Sequence, residues 1–155
     1  MEVTENGQYF VLAQSLAIAR YLANKFNLAG KTELDRAYVE MYAEQIRDLQ
    51  DEFIKYRNQN DETIKTQLMN KYFTESLPRN LEYFEKKLAD TGTGYLVGDS
   101  LTWADIFLNF VLTWLDATKT EAAFQKSPLV RQHIEKISSH PGIADYVKKR
   151  PITNF

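Results

Sequence analysis

"LTWADIFLNFVLTWL", residues 101–115, carries two signals in succession. Thr102 and Asp105 stand at the spacing of a reciprocal helix cap. The Thr102 hydroxyl can accept from the Asp105 N–H while the Asp105 carboxylate accepts from the Thr102 N–H, with Leu101 and Ile106 placed as a hydrophobic staple. Losing such a cap costs about 0.5–2 kcal/mol. The ten residues that follow are apolar except for Asn109 and Thr113. They are half the roughly 20 that a membrane span needs, so they read as a core helix. The expected helix runs from Thr102 to about Ala117. Its stripe of Trp103, Phe107, Phe110 and Trp114, with Ile106, Leu108 and Val111 around it, marks it as central. For Asp105 the functional alternative to the cap is a catalytic carboxylate, although no acid or base partner lies near it in sequence.

The flanking sequence supplies helices for this one to pack against. Thr32 opens a long helix in which Tyr42, Ile46, Leu49, Phe53 and Tyr56 recur at spacings of 4, 3, 4 and 3. "NQND", residues 58–61, breaks it. A second long helix follows through Ile64, Leu68, Tyr72, Leu81, Phe84 and Leu88, with a kink expected at Pro78. "TGTG", residues 91–94, is a loop, and shorter helices are expected over 128–138 and 142–149. The three larger helices make an antiparallel bundle. Ahead of them, Met1 and Val3 alternate with polar residues, and "YFVLA", residues 9–13, reads as a strand buried on both faces. Asn6-Gly7 between the two runs is a hairpin turn signal. From Ser15 a helix carries Ile18, Tyr21, Leu22 and Phe26 inward and is expected to stop at Ala29-Gly30.

Composition narrows the function. The chain has 155 residues, a formal net charge of −2, and 19 Lys and Arg scattered rather than banked. That gives no electrostatic footprint for nucleic acid. No cysteine is present, which removes disulfides and thiolate chemistry and fits a cytosolic protein. "MEVTENGQYF" has no signal-peptide pattern. His133 and His140 are too few and too far apart in sequence for a zinc site.

Two sets of residues are candidates for binding. Gln14-Ser15 stands where a strand turns into a helix, whose first N–H groups and positive dipole end favour a carboxylate. Both side chains donate and accept hydrogen bonds, which suits a ligand bearing a carboxylate and an ammonium on one carbon. The plainer reading is that Ser15 caps its helix. Glu40, Glu44, Asp48 and Glu52, with Asp51 alongside, form an acidic row on the long helix. It is either a solvated face or a surface for an ammonium, a divalent cation or a basic partner.

Three stretches, "LAQSLAIARYLANKFNLAG" at 12–30, "YLVGDSLTWADI" at 95–106 and "VKKRPITNF" at 147–155, resemble sigma-class cytosolic glutathione transferases. That class includes a glutathione-dependent prostaglandin D synthase and non-enzymatic lens crystallins. The resemblance implies a mainly α fold: residues 1–29 a residual β-hairpin and helix of a thioredoxin-like domain, and residues 30–155 an all-α C-terminal helical-bundle domain. It implies glutathione as co-substrate, no required metal, a small hydrophobic electrophile, a cytoplasmic homodimer, and a role in detoxification without nucleic acid or membrane. Gln14 and Ser15 would hold the γ-glutamyl end of glutathione, and Asp48 would reach the same group across the dimer. Tyr56 and Phe155 are pocket candidates by position. The family's thiol-activating tyrosine lies on a strand ahead of the one that matches "MEVTE", and Tyr9 does not replace it. The expectation is therefore a truncated transferase with no catalytic residue of its own and little conjugating activity. The alternative is a non-catalytic crystallin-like or dimerising module.

Overall fold

Asn6 and Gly7 take φ of 51° and 76°, as a two-residue turn of the I′ kind requires. They join β1 (Glu2–Glu5) to β2 (Gln8–Val11) as an antiparallel hairpin, with Glu5 opposite Gln8 and Glu2 opposite Val11. The computed structural model describes residues 1–115 and 123–151. The hairpin is the only sheet among them. The expectation of a strand buried on both faces fails here. All of β2 is exposed, Tyr9 at 63% and Val11 at 65%; among the described residues no third strand pairs with the hairpin, and its one ring contact is Phe10 edge-on to Tyr21 at 6.0 Å.

Among the described residues seven α-helices follow: α1 (Ser15–Lys25), α2 (Glu33–Arg57), α3 (Glu62–Lys71), α4 (Leu77–Thr91), α5 (Trp103–Trp114), α6 (Pro128–Ser138) and α7 (Pro141–Lys149). α1 ends four residues before the expected Ala29-Gly30 stop. Asn27, at φ 58°, turns the chain instead. Gly30 serves another purpose: at φ 102°, a Cβ there would lie 2.9 Å from the Asp35 Cβ and 3.0 Å from the Arg36 nitrogen. Only glycine lets the linker pass so close to the first turn of α2. That turn is capped by a Thr32–Asp35 box with both hydrogen bonds at 3.0 Å.

A π-helical turn, Tyr72–Ser76, separates α3 from α4, and Pro78 is the second residue of α4. Proline lacks an N–H and crowds the carbonyl four residues back, and the widened turn absorbs the mismatch. The α2 seam of Tyr42, Ile46, Leu49, Phe53 and Tyr56 is buried throughout. Its Phe53 ring lies 5.6 Å from Tyr72 and 5.3 Å from Trp114, so three helical segments share one aromatic cluster.

α5 packs on α2 and on α6, as a central helix should. Its buried face differs from the expected aromatic stripe. Ala104, Asp105, Leu108, Asn109, Val111 and Leu112 join Trp103 inside, whereas Phe107 and Trp114 are half-buried and Phe110 is 45% exposed. The apolar residues cover the whole helix, but only the face toward α2 and α6 finds partners. α5 ends at Trp114, with Leu115 already extended, three residues before the end expected near Ala117; Ala117 itself and Phe155 lie outside the described residues.

Candidate functional site

α1 opens without a side-chain cap. Gln14 is the N-cap residue and makes no capping hydrogen bond. Its backbone sits at φ 70°, ψ 119°, a region that non-glycine residues rarely occupy and that costs on the order of 1–3 kcal/mol. The first helical bond runs from the Ile18 N–H to the Gln14 carbonyl at 3.0 Å. The N–H groups of Ser15, Leu16 and Ala17 are therefore left without a partner in the helix. Gln14 and Ser15 are both exposed. Ser15 is the first helical residue rather than the cap, so the plainer reading of its role does not hold in this geometry. The corner presents free N–H groups, a hydroxyl, a primary amide and the positive end of a dipole to solvent.

Arg20, one turn further along α1, fixes this corner to the bundle. Its Nε donates to Glu40 at 2.5 Å and its Nη2 to Glu44, both on α2. Its guanidinium also lies 5.6 Å from the centre of the Trp103 ring on α5. The Glu40 carboxylate holds the Arg20 pKa above its ordinary value, with Glu44 adding to the effect against some desolvation. Part of the acidic row thus meets a cation from its own chain. Glu44 is bridged in turn by Arg47 at 3.2 Å, and Arg47 reaches Asp51 at 3.7 Å. The hairpin is tied to α1 separately. The Tyr21 hydroxyl and the Lys25 ammonium each donate to Glu5 at 3.0 Å, and these bonds hold the Glu5 carboxyl below its usual range, Lys25 contributing most.

Asp48 is exposed one turn beyond Glu44. No described hydrogen bond or ion pair joins it to Gln14 or Ser15, so a single chain does not bring the three predicted residues together. Glu52, the end of the row, borders a cleft of about 230 Å³ with Lys55, Leu68, Lys71 and Tyr72. Tyr56 is 7% exposed and lies in the aromatic cluster rather than on an open pocket. Among the described residues no group of three His, Asp or Glu side chains could hold a metal ion.

The N-terminus of α5 is the opposite case. The Asp105 carboxylate accepts from the Thr102 N–H at 2.7 Å, the Thr102 hydroxyl at 2.6 Å and the Leu96 N–H at 2.8 Å. The Trp103 N–H donates to the Leu28 carbonyl at 2.9 Å, so the segment after α1 finishes the cap. Sequence reading missed His133, 28 positions away, whose Nε2 lies 3.8 Å from Asp105 Oδ1. It also missed Arg20 as the partner of Glu40 and Glu44. The only local signal for Arg20 was a cation set among apolar and small residues in the middle of α1.

This arrangement, a helical bundle with an α-helix entered from a hairpin at its edge, is that of the glutathione S-transferase fold with its C-terminal helical domain. Residues 47–150 match the family model described as "Glutathione S-transferase, C-terminal domain". A glutathione S-transferase of Plasmodium yoelii yoelii is 34% identical over 140 residues, which are 90% of this chain and 64% of that protein. Human hematopoietic prostaglandin D synthase is 32% identical over 144 residues, 93% of this chain and 70% of its own length. The solved structure of monomeric Na-GST-3, a glutathione S-transferase of the hookworm Necator americanus, superposes with a TM-score of 0.83 at 32% identity, covering 99% of this chain and 75% of that one. The chain belongs to the glutathione S-transferase family. It spans about two thirds of the length of the curated relatives it matches. Among the described residues no helix is long and apolar enough to cross a membrane.

Proposed function

We propose that this chain is a subunit of a sigma-class glutathione transferase, and that Gln14 and Ser15 grip the γ-glutamyl end of glutathione. The strained Gln14 backbone directly ahead of an uncapped, exposed helix start carries this reading. Strain of that size persists where a site needs it. The γ-glutamyl carboxylate would take the free N–H groups of α1 and the Ser15 hydroxyl, and its ammonium would meet the Gln14 amide oxygen and an acid. Asp48 is that acid, supplied by the partner of a cytoplasmic homodimer, because within one chain it makes no contact with the corner.

The reaction proposed for the whole enzyme is addition of the glutathione sulfur to a small hydrophobic electrophile, in detoxification. Its central demand is ionising a thiol whose ordinary pKa is about 8.5. We assign that task to a tyrosine on the preceding strand of the thioredoxin-like domain, of which residues 1–29 form part, and none to residues 30–155. The exposed ring of Phe110, stacked on Trp114 at 6.0 Å, offers an apolar surface to the electrophile.

Calorimetric titration with reduced glutathione tests the binding claim. The wild-type chain should bind, and Gln14→Ala with Ser15→Ala should weaken binding by at least tenfold, the loss expected for one or two hydrogen bonds to a charged group. Equal affinity in the two proteins, or none in the wild type, contradicts the proposal.

A further inference from the structure

Three elements meet at a buried pair of titratable side chains that the glutathione reading leaves unused. Asp105, on α5, is fully buried and accepts from three donors. Oδ2 accepts from the Thr102 N–H and hydroxyl, and Oδ1 accepts from the Leu96 N–H of the 92–101 connection. His133, on α6, is 1% exposed. Its Nδ1 lies 3.0 Å from the Gly94 carbonyl oxygen of the same connection. A carbonyl oxygen only accepts, so Nδ1 carries the hydrogen.

That assignment leaves Nε2 facing Asp105 Oδ1 at 3.8 Å, with no other partner among the described residues. With the histidine neutral and the aspartate ionised, a bare nitrogen lone pair would face an ionised carboxylate oxygen whose one partner is the Leu96 N–H. The interior would hold one charge without a counter-ion and one acceptor without a donor, each costly when buried. A single proton between the two atoms removes both faults. It can be written on the imidazole, which at 3.8 Å from Oδ1 makes an ion pair, or on the carboxyl, which leaves both groups neutral. Either way it belongs to the couple.

We infer that Asp105 and His133 together hold one proton between Oδ1 and Nε2 in the folded protein through neutral pH, and that this proton fastens the 92–101 connection to α5 and α6. Burial pushes the Asp105 carboxyl above its ordinary range, against the pull of its hydrogen-bond donors and of His133. Several other charged groups on the packed elements are engaged elsewhere. On the connection, Asp99 pairs with Lys31 at 2.5 Å. On α6, Lys136 donates to the Thr93 carbonyl at 2.8 Å and lies over the Tyr95 ring, and Arg131 lies over the Phe124 ring. Glu135 of α6 is exposed. On α4, Glu85 accepts from the Leu129 and Val130 N–H groups, and Asp90 pairs with Lys87. Asp105 is the one ionisable side chain on α5.

Folding then takes up a proton. In an unfolded chain histidine titrates near 6.5 and aspartate near 3.9, so above about pH 6.5 the unfolded couple holds no proton while the folded one holds one. The native state binds more protons, and stability must fall as pH rises. The unfolding equilibrium constant should increase by up to tenfold per pH unit above about 6.5, until the folded couple gives up its proton.

Two measurements decide the matter. Side-chain ¹⁵N and ¹³C NMR of the wild-type chain at pH 7.5 should show protonation at either His133 Nε2 or the Asp105 carboxyl, with exposed His140 as the only other histidine to assign. An ionised carboxylate together with a bare Nε2 overturns the inference. Urea unfolding at pH 6.5 and 8.5 should show the wild type losing stability across the interval and His133→Gln losing less, since His140 and the α-amino group are common to both. The same pH slope in the two proteins overturns it, and if the variant does not fold, the NMR result on the wild type stands alone as the test.

Discussion

α1 and α5 both begin with a hydroxyl residue near a polar neighbour, and the structure treats the two starts in opposite ways. At α5 the cap is closed within the chain. Asp105 takes three donors, the Leu28 carbonyl takes the Trp103 N–H, and Thr102 and Asp105 are buried. At α1 the cap residue makes no side-chain bond, its backbone is strained, and Gln14 and Ser15 face solvent. A satisfied helix start serves the fold. The proposed function assigns the start left open at a conformational cost to a ligand. The contrast can be broken by mutation at either end.

The largest effect should fall on the closed end. Asp105→Ala strands the Leu96 and Thr102 N–H groups and leaves His133 without its counterpart. We expect a loss of about 3–5 kcal/mol, the range for breaking a buried pair, read as a shift in the urea midpoint or as failure to fold. A cost under about 1 kcal/mol would place Asp105 among ordinary caps. At the open end the sign should reverse. Gln14→Gly relieves a positive φ that glycine adopts freely, and should raise stability by about 1 kcal/mol while weakening glutathione binding. A variant that is both less stable and equally competent in binding would remove strain from the account.

Smaller effects should sharpen the picture. Arg20→Met removes two carboxylate contacts and a ring contact between α1 and the bundle. The groups are partly exposed, at 33% for Arg20 and 42% and 46% for Glu40 and Glu44, so solvent screening limits the loss to about 1 kcal/mol. Thermal unfolding measures it, and a loss above about 3 kcal/mol would mean that Arg20 carries more than these contacts. Smallest in stability terms is the hairpin. Val11 is exposed, and β1 and β2 each present an outer edge with no described strand beside it. Val11→Lys should leave the urea midpoint within about 0.5 kcal/mol and reduce self-association in light scattering. Equal scattering from the two proteins would show that this edge is not where copies meet.

Much of this contrast was legible in the sequence where the signal is local. The Asn6-Gly7 turn, the α2 seam, the Pro78 disturbance and the Thr102–Asp105 spacing each involve residues within a few positions of one another, and periodicity and turn chemistry report such things directly. What the sequence hid is long-range. His133 meets Asp105 across 28 residues, and Arg20 meets Glu40 and Glu44 across 20 and 24. No spacing rule connects them. Burial was misjudged where hydrophobicity stood in for it. "YFVLA" is apolar enough for a buried strand, yet a two-stranded hairpin offers nothing to bury it against. α5 is apolar all round, yet Phe110 stays on the side that no described element covers. Gly30 was expected to end a helix and instead makes room for the start of the next one, a demand visible only once the Asp35 backbone is in place. At the candidate site the residue types were readable at Gln14 and Ser15, but the strain that singles them out was not.

Amide chemical-shift mapping with reduced glutathione tests the contrast between the two helix starts most directly. The account predicts that the N–H signals of Ser15, Leu16 and Ala17 move on titration while those of Leu96 and Thr102 stay where they are. Silent α1 amides at saturating glutathione, or shifts centred on the α5 cap, would contradict it.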